Sequence, residues 1–217
     1  MTLSNLCCPL CGADCIGPFA HAHQKDYFEC HICRLVFLDP NRRLASDEEQ
    51  KRYKTHQNDP SDTGYRNFLN RLAHPLITRL TPKAVGLDYG SGPGPTLSVM
   101  LERHGFSMAI YDPFFAPIEE VLTRTYDFVT CTETVEHFFY PDREFNQLNR
   151  LLRPGGWLGI MTEIRQEERA FEQWYYVRDP THVCFYHAHT MLWLAEHFGW
   201  ILQSPHQNVF FFQKPLS

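Results

Sequence analysis

No stretch of the 217-residue chain approaches the run of about 20 apolar residues that a membrane-spanning helix needs, which excludes that architecture. An excess of positive charge is also missing. Lys and Arg number 20 against 25 Asp and Glu, a net charge of −5. That balance lacks the electrostatic footprint of a nucleic-acid binder. The only basic clusters, Arg42-Arg43 and Lys51-Arg52 with Lys54, are interrupted by Asp47-Glu48-Glu49, the pattern of a solvated helix face. There is no internal repeat and no low-complexity tract. Met1–Leu6, ahead of the first cysteine, is too short for a secretory signal, so a cytoplasmic protein is expected. Core-forming residues are plentiful, at 43% hydrophobic and 14% aromatic. The length allows one full α/β domain plus a small module.

Val85–Gly94, VGLDYGSGPG, carries the most information. A short apolar run ends in Asp88. Glycines follow at alternate positions, Gly90, Gly92 and Gly94, and Thr96 opens a helical pattern. Strand, glycine turn and helix start in that order suit a nucleotide-like ligand, because glycine lets a ligand approach the backbone closely. A dinucleotide fingerprint would place its third glycine at the sixth position, where Pro95 stands, so the spacing disfavours NAD. Asp112 ends the next apolar run. An acid at that distance past the glycines is placed to accept hydrogen bonds from ribose hydroxyls. A buried strand over Phe128–Thr132 then leads to an acidic tip at Glu133 and to Glu136-His137. A helix from Pro141-Asp142, an Arg153-Pro154-Gly155-Gly156 turn and a strand over Trp157–Met161 follow.

These four ordered signals, running from Val85 to Met161, resemble the class I S-adenosylmethionine (SAM)-dependent methyltransferases. The resemblance implies an α/β, Rossmann-like sheet with an antiparallel last strand, and SAM as cofactor. It implies cofactor contacts from Asp88, Gly90, Gly92, Gly94, Asp112 and Glu133. It departs from the family in one place. The segment between Asp112 and Tyr126 is short, and Pro113 and Pro117 bar a regular helix there, so the third strand is expected to be reduced. Phe114 or Phe115 then stacks near the adenine or packs under the sheet edge.

Six of the eight cysteines lie at or before Cys33. Cys8-Pro9-Leu10-Cys11 and Cys30-His31-Ile32-Cys33 are CxxC pairs, separated by Gly12–Glu29. Paired knuckles of this spacing suit a structural four-thiolate Zn²⁺ site, the hairpin between them bringing the pairs together. The strings look like a zinc ribbon. A disulfide framework is the alternative. Cys7 and Cys15 are spare thiols, and Cys131 and Cys184 read as buried.

The expected organisation is a ribbon over 1–40, a helical cap over 41–83 and a methyltransferase domain over 84–217. In the cap, Ser46…Glu49 reads as a capping box for a helix carrying Tyr53, broken at Asn58–Asp62. A second helix, bent or interrupted at Pro75, would bring Tyr65 and Arg66 to the methionine carboxylate. Gln173–His189, dense in aromatics and histidines, is expected to form the acceptor pocket from Trp174, Tyr175, Tyr176 and His182. His182, His187 and His189 are also a candidate metal set. Thr190 reads as the cap of the last helix. His137, Glu136 and His182 are the catalytic candidates, His137 as a general base in its useful titration range. Three function classes follow. The first is a methyltransferase acting on a small-molecule acceptor at O or N, resembling bacterial enzymes related to the ubiquinone-pathway O-methyltransferases. The second is an RNA methyltransferase gripping nucleic acid with the ribbon. The third is a non-catalytic SAM-binding protein.

Overall fold

The computed structural model describes residues 6–55, 59–167 and 170–216. Residues 1–5, and Asn58 of the expected helix break, lie outside them. In chain order the strands are β1 (Ile16–Ala22), β2 (Lys25–Cys30), β3 (Val36–Leu38), β4 (Val85–Tyr89), β5 (Ser107–Tyr111), β6 (Tyr126–Thr132), β7 (Leu152–Met161), β8 (Ile164–Arg165), β9 (Cys184–His187), β10 (Ile201–His206) and β11 (Val209–Gln213). The α-helices are α1 (Ser46–Tyr53), α2 (Thr63–Ile77), α3 (Thr96–Glu102), α4 (Pro141–Leu151) and α5 (Ala188–Phe198). No helix among the described residues is long and apolar enough to cross a membrane.

A six-stranded sheet, in the order β10-β11-β7-β6-β4-β5, forms the α/β part. β5, β4, β6 and β7 run parallel, and β11 enters antiparallel to β7. The apolar runs of the inner strands read almost without polar interruption because both faces are covered. Phe128 and Phe211 face α2 and α3. Val129, Phe210 and Phe212 face the opposite core, which holds Phe145 and Leu148 of α4. Full burial of each such side chain contributes about 1.5–3 kcal/mol.

The third strand is absent among the described residues. After Asp112 the chain turns back in a single Asp112–Ala116 bridge and makes one 3-10 turn, Glu119–Thr123. The Arg153–Gly156 turn is drawn into β7 as a bulge. Tyr126 pairs with Leu152, and the next pair is Phe128 with Trp157.

A second sheet has the order β1-β2-β3-β9-β8. The strands of the expected ribbon are therefore hydrogen-bonded to a strand from the far end of the sequence, through Val36–Phe185 and Phe37–Cys184. Val36, Phe37 and Leu38 are fully buried and share one core with Tyr186 and Leu194.

Three local details differ from the sequence expectation. Helix α1 is capped from Ala45, whose N–H donates to Glu48 Oε2 at 3.3 Å. Glu48 therefore closes the box, and Glu49 turns inward and is buried. Helix α2 runs through Pro75 to Ile77. Helix α5 is capped by His187, whose Nδ1 accepts from His189 N–H, while Thr190 Oγ1 accepts from His187 N–H.

Candidate cofactor cavity and metal centre

The two CxxC pairs build nearly identical knuckles. Cys8 N–H donates to Ala13 O at 2.8 Å and Gly12 N–H to Cys8 O at 3.0 Å. In the second, Cys30 N–H donates to Leu35 O at 3.0 Å and Arg34 N–H to Cys30 O at 2.9 Å. Gly12 and Arg34 both take left-handed backbone, at φ 72° and 60°. The hairpin of β1 and β2 then brings Cys8 Sγ to 3.5 Å from Cys33 Sγ, and Cys11 Sγ to 3.4 Å from Cys30 Sγ. All four sulfurs lie within 4.8 Å of one another. A disulfide needs about 2.05 Å, whereas zinc–sulfur bonds of about 2.3 Å in a tetrahedron put sulfurs about 3.8 Å apart. The cluster fits a tetrahedral ion. The contact with Cys33 pulls the Cys8 thiol down to about 6, and burial pushes Cys11 up to about 12. Cys7 and Cys15 are exposed and outside the cluster.

A cavity of about 480 Å³ opens at the carboxyl ends of β4, β5 and β6, within the range of small-ligand sites. The glycine turn forms its floor. Gly90 and Gly92 are left-handed, at φ 81° and 65°, and a Cβ on Gly90 would run into Thr134. The turn is tied to β5: Gly90 and Ser91 N–H donate to Tyr111 O at 2.8 and 3.1 Å. Asp112 holds it as well, its Oδ2 accepting from Gly92 N–H at 2.9 Å. Asp112 Oδ1 accepts from Phe114 and Phe115 N–H at 2.8 and 3.0 Å. Three of the roughly four acceptor positions of this carboxylate are thus used by the backbone.

Asp88, under the floor, takes bonds from Thr130 Oγ1 at 2.8 Å and Ser98 Oγ at 3.2 Å. Burial nevertheless pushes it up to about 6. Three cavity residues keep a buried polar atom with no hydrogen-bond partner: Ser91 Oγ, Thr132 Oγ1 and Glu133 Oε1. An orphaned buried polar atom is costly unless a ligand satisfies it. Glu133 also sits at φ 49°, strain of the kind that gathers at functional sites. Tyr65, from the first turn of α2, lines the same cavity, its hydroxyl pushed up to about 12 by burial. Arg66 is not among the lining residues.

The far end of the cavity is formed by Glu136, His137 and His182, which present ligand-type atoms within 4.8 Å of one another. Glu136 is fully buried. Its carboxylate accepts from Tyr176 Oη in a very short bond and from Thr162 Oγ1 at 3.0 Å. Burial outweighs these bonds and raises it to about 7. Burial also drives Glu133 well up, with Glu136 adding to it. His137 Nδ1–H donates to Thr181 O at 3.1 Å and His182 Nδ1–H to Tyr176 O at 2.7 Å. Both imidazoles are thereby set with Nε2 as the acceptor nitrogen.

His187 and His189 do not join them. His187 faces Glu167 at 3.9 Å, and His189 Nε2–H donates to Ile32 O at 3.2 Å. Nor do Trp174, Tyr175 and Tyr176 line the cavity. Trp174 and Tyr176 are stacked at 5.1 Å inside the core, and Tyr175 is exposed. Phe114 and Phe115 do line it. Sequence reasoning missed Glu49 and Tyr53, which reach the cavity from α1. Tyr53 Oη donates to Glu49 Oε1 at 2.8 Å, and its ring meets His137 edge-on at 5.2 Å. The signal available was the spacing of 49 and 53, which puts both on one side of a helix.

A family model described as a methyltransferase domain matches residues 62–204. No curated protein sequence matches the chain. Among solved structures, the chain resembles a Burkholderia thailandensis 1,6-didemethyltoxoflavin-N1-methyltransferase determined with 1,6-didemethyltoxoflavin and S-adenosylhomocysteine. The identity is 17% and the TM-score 0.52, covering 91% of this chain and 99% of that one. It also resembles a chain of the Haloferax volcanii complex between the Trm112 methyltransferase activator and a methyltransferase, with 11% identity, TM-score 0.51, and 79% and 100% coverage. A Pyrococcus horikoshii OT3 protein matches at 15% identity and TM-score 0.50, covering 76% and 98%. At these identities the likeness is one of fold.

Proposed function

Because the chain belongs to the methyltransferase domain family, we propose that it transfers a methyl group from SAM to a small-molecule acceptor at O or N. The observation that carries this is the set of orphaned buried atoms, Ser91 Oγ, Thr132 Oγ1 and Glu133 Oε1, around the glycine turn. They are the polar partners a nucleoside with an amino-acid arm requires, at the strand ends where such ligands sit.

When bound, SAM supplies an electrophilic sulfonium methyl, to which an acceptor's lone pair bonds as the carbon–sulfur electron pair stays on sulfur. The residues of this chain do the rest. Gly90, Gly92 and Gly94 leave room for the cofactor. Asp112 fixes the turn and keeps about one acceptor position for a ribose hydroxyl. Phe114 and Phe115, which line the cavity, would flank the adenine. Glu133 would take the ammonium of the methionine arm and Tyr65 would face its carboxylate, with Asp88 beneath the turn. Helix α1 closes the acceptor end against water. His137 receives the acceptor's proton on Nε2, and Glu136 and His182 hold the polar wall in place. Cys8, Cys11, Cys30 and Cys33 would hold a structural zinc ion that ties the ribbon together. The proposed units are 1–40, 41–83 and 84–217.

The test is calorimetric titration with S-adenosylhomocysteine. The parent chain is expected to bind, and Gly92→Val to lose binding. Unchanged affinity in Gly92→Val would place the cofactor elsewhere. Tritium transfer from methyl-labelled SAM into a metabolite extract checks the reaction itself.

A further inference from the structure

Asp179 does not line the cavity, yet its bonds lead to both histidines at the cavity's far end. It opens the segment Asp179-Pro180-Thr181-His182, which runs towards β9. Pro180 disfavours helical backbone at the residue before it, and Asp179 is extended, at φ −75° and ψ 118°. From there its carboxylate closes a turn of the kind aspartate makes with the backbone two residues on. Oδ1 accepts from Thr181 N–H at 3.0 Å and from the Thr181 hydroxyl at 2.6 Å. The backbone O of Asp179 accepts from His182 N–H at 3.2 Å. Thr181 is buried, and its own carbonyl accepts from His137 Nδ1–H. Resting on the methyl-transfer reading, in which His137 receives the acceptor's proton, we propose that Asp179 is the positioning residue of His137: the turn it closes fixes the carbonyl that dictates which ring nitrogen carries the hydrogen.

A neutral imidazole carries its hydrogen on one nitrogen and accepts at the other. The choice is set by the hydrogen bond that the protonated nitrogen makes. With Nδ1–H held on Thr181 O, the accepting nitrogen is Nε2. The opposite tautomer would turn a donor toward the place where a lone pair is needed, and the base would be present but unable to act. Thr181 O can direct the ring only while Thr181 itself is held. Its N–H and its hydroxyl both go to one carboxylate oxygen, Asp179 Oδ1.

The carboxylate is anchored on its other side as well. Oδ2 accepts from Arg52 Nε and Nη2 at 3.1 and 2.7 Å. Burial opposes its ionisation, but Arg52, Thr181 and His182 together keep it ionised. His182 belongs to the same arrangement, with its N–H on Asp179 O and its Nδ1–H on Tyr176 O. Two rings whose centroids lie 4.8 Å apart thus take their orientation from one short loop. Neither Arg52 nor Thr181 lines the cavity. Asp179 therefore acts through His137 and not on a ligand.

The experiment uses the full chain as purified. S-adenosylhomocysteine binding is measured first, by calorimetry. Its absence sinks the methyl-transfer reading, whereas the histidine measurement needs no cofactor and still decides whether Asp179 positions the ring. Nitrogen–hydrogen correlation spectra of isotopically labelled chain, taken well above the usual histidine titration range, report which ring nitrogen carries the hydrogen. Among the 12 histidines, the His137 signals are identified by their loss in His137→Gln. The parent is expected to show His137 with its hydrogen on Nδ1, and a hydrogen on Nε2 overturns the proposal. Asp179→Ala removes the turn and is expected to shift His137 to a mixture or to the opposite tautomer. An unchanged tautomer overturns the proposal, whatever happens to the melting temperature. Asp179→Asn offers Thr181 the same Oδ1 and is expected to retain the parent tautomer. A shift as large as that of Asp179→Ala would overturn the role of the turn. Should Asp179→Ala fail to fold, Asp179→Glu takes its place with the same two outcomes, because it keeps the charge but is too long for the turn.

Discussion

The ribbon and the cavity are two ways of preparing a site. In the ribbon, four like atoms converge on one point, 3.4–3.5 Å apart in pairs. Each knuckle is completed by hydrogen bonds between near neighbours in the chain. In the cavity the atoms come from α1, α2, the ends of three parallel strands and the segment before β9, and several are left without partners. The four-thiol cluster is specified locally and has the spacing of a tetrahedral ion site. The cavity is specified globally, by residues far apart in the chain. The two are joined: β3 pairs with β9, and Val183 N–H at its edge donates to Glu136 O at 2.9 Å. Tyr186 Oη likewise donates to Val135 O at 3.0 Å.

The largest expected effect tests whether that join matters. Purified chain is expected to hold one zinc by metal analysis, and Cys30→Ser to lose it. Metal sites of this type contribute about 10 kcal/mol or more to folding in isolated modules, so melting should fall by well over ten degrees, as the size scaling implies. Full zinc in a Cys8→Ser, Cys11→Ser double variant would move the ligands to Cys7 and Cys15 or elsewhere. If a chelator strips the metal and leaves S-adenosylhomocysteine affinity untouched, the two regions are independent after all.

Next in size is the core beneath the polar wall. Trp174→Ala and Tyr176→Ala are each expected to cost about 3–5 kcal/mol, as large aromatic truncations do, read as a shift in denaturant midpoint. A loss of turnover without a loss of stability would return these rings to the acceptor pocket. Asp112→Ala is expected to weaken cofactor binding by about 1–3 kcal/mol, measured by calorimetry, and to loosen the Phe114–Phe115 segment.

A smaller effect is set by pH. Burial raises Glu136 from 4.5 to about 7 and Asp88 from 3.8 to about 6. The folded chain therefore holds protons that the unfolded chain has released. Stability from these groups is complete below their unfolded values and declines as pH rises through about 7. Cofactor-free protein should melt several degrees lower at pH 7.5 than at pH 5. Glu136→Gln should flatten that slope, and an unaltered slope would assign it to other groups. Asp179 works the other way. Its own burial opposes ionisation, but bonds from Arg52 and Thr181 prevail and hold it down. Its contribution is lost only as pH falls below the usual carboxylate range. The smallest change is expected from Arg52→Ala, which removes a half-exposed guanidinium from the mostly buried Asp179 and should cost about 1 kcal/mol.

What was legible in the sequence follows the same division. Knuckle spacing, the glycine turn, Asp112 and the shortened stretch after it are local features, and each stands where local chemistry places it. Period and turn residues also marked the strand and helix order. The misses depend on distant contacts. Glu49 looked like a capping residue because Ser46 is a good cap, yet Ala45 takes that place and frees Glu49 to face inward. Trp174 and Tyr176 are rings of the kind a pocket uses, and nothing in their spacing says that they stack inside the core. His187 and His189 lie close to His182 in sequence, but β9 intervenes and carries them to other partners. The pairing of β3 with β9 has no signature in either segment.

That pairing has a consequence for synthesis. The strand Val36–Leu38 gains its second neighbour only when Cys184 and Phe185 have been made, most of the chain later. At about 5–20 residues per second the wait is on the order of ten seconds. Throughout that interval three consecutive apolar residues, all fully buried in the finished molecule, form an open sheet edge. An unpaired apolar edge is a template for pairing with other chains. A nascent chain of this protein is therefore most exposed to aggregation while its thiol knuckles are already complete and its last quarter is still being translated.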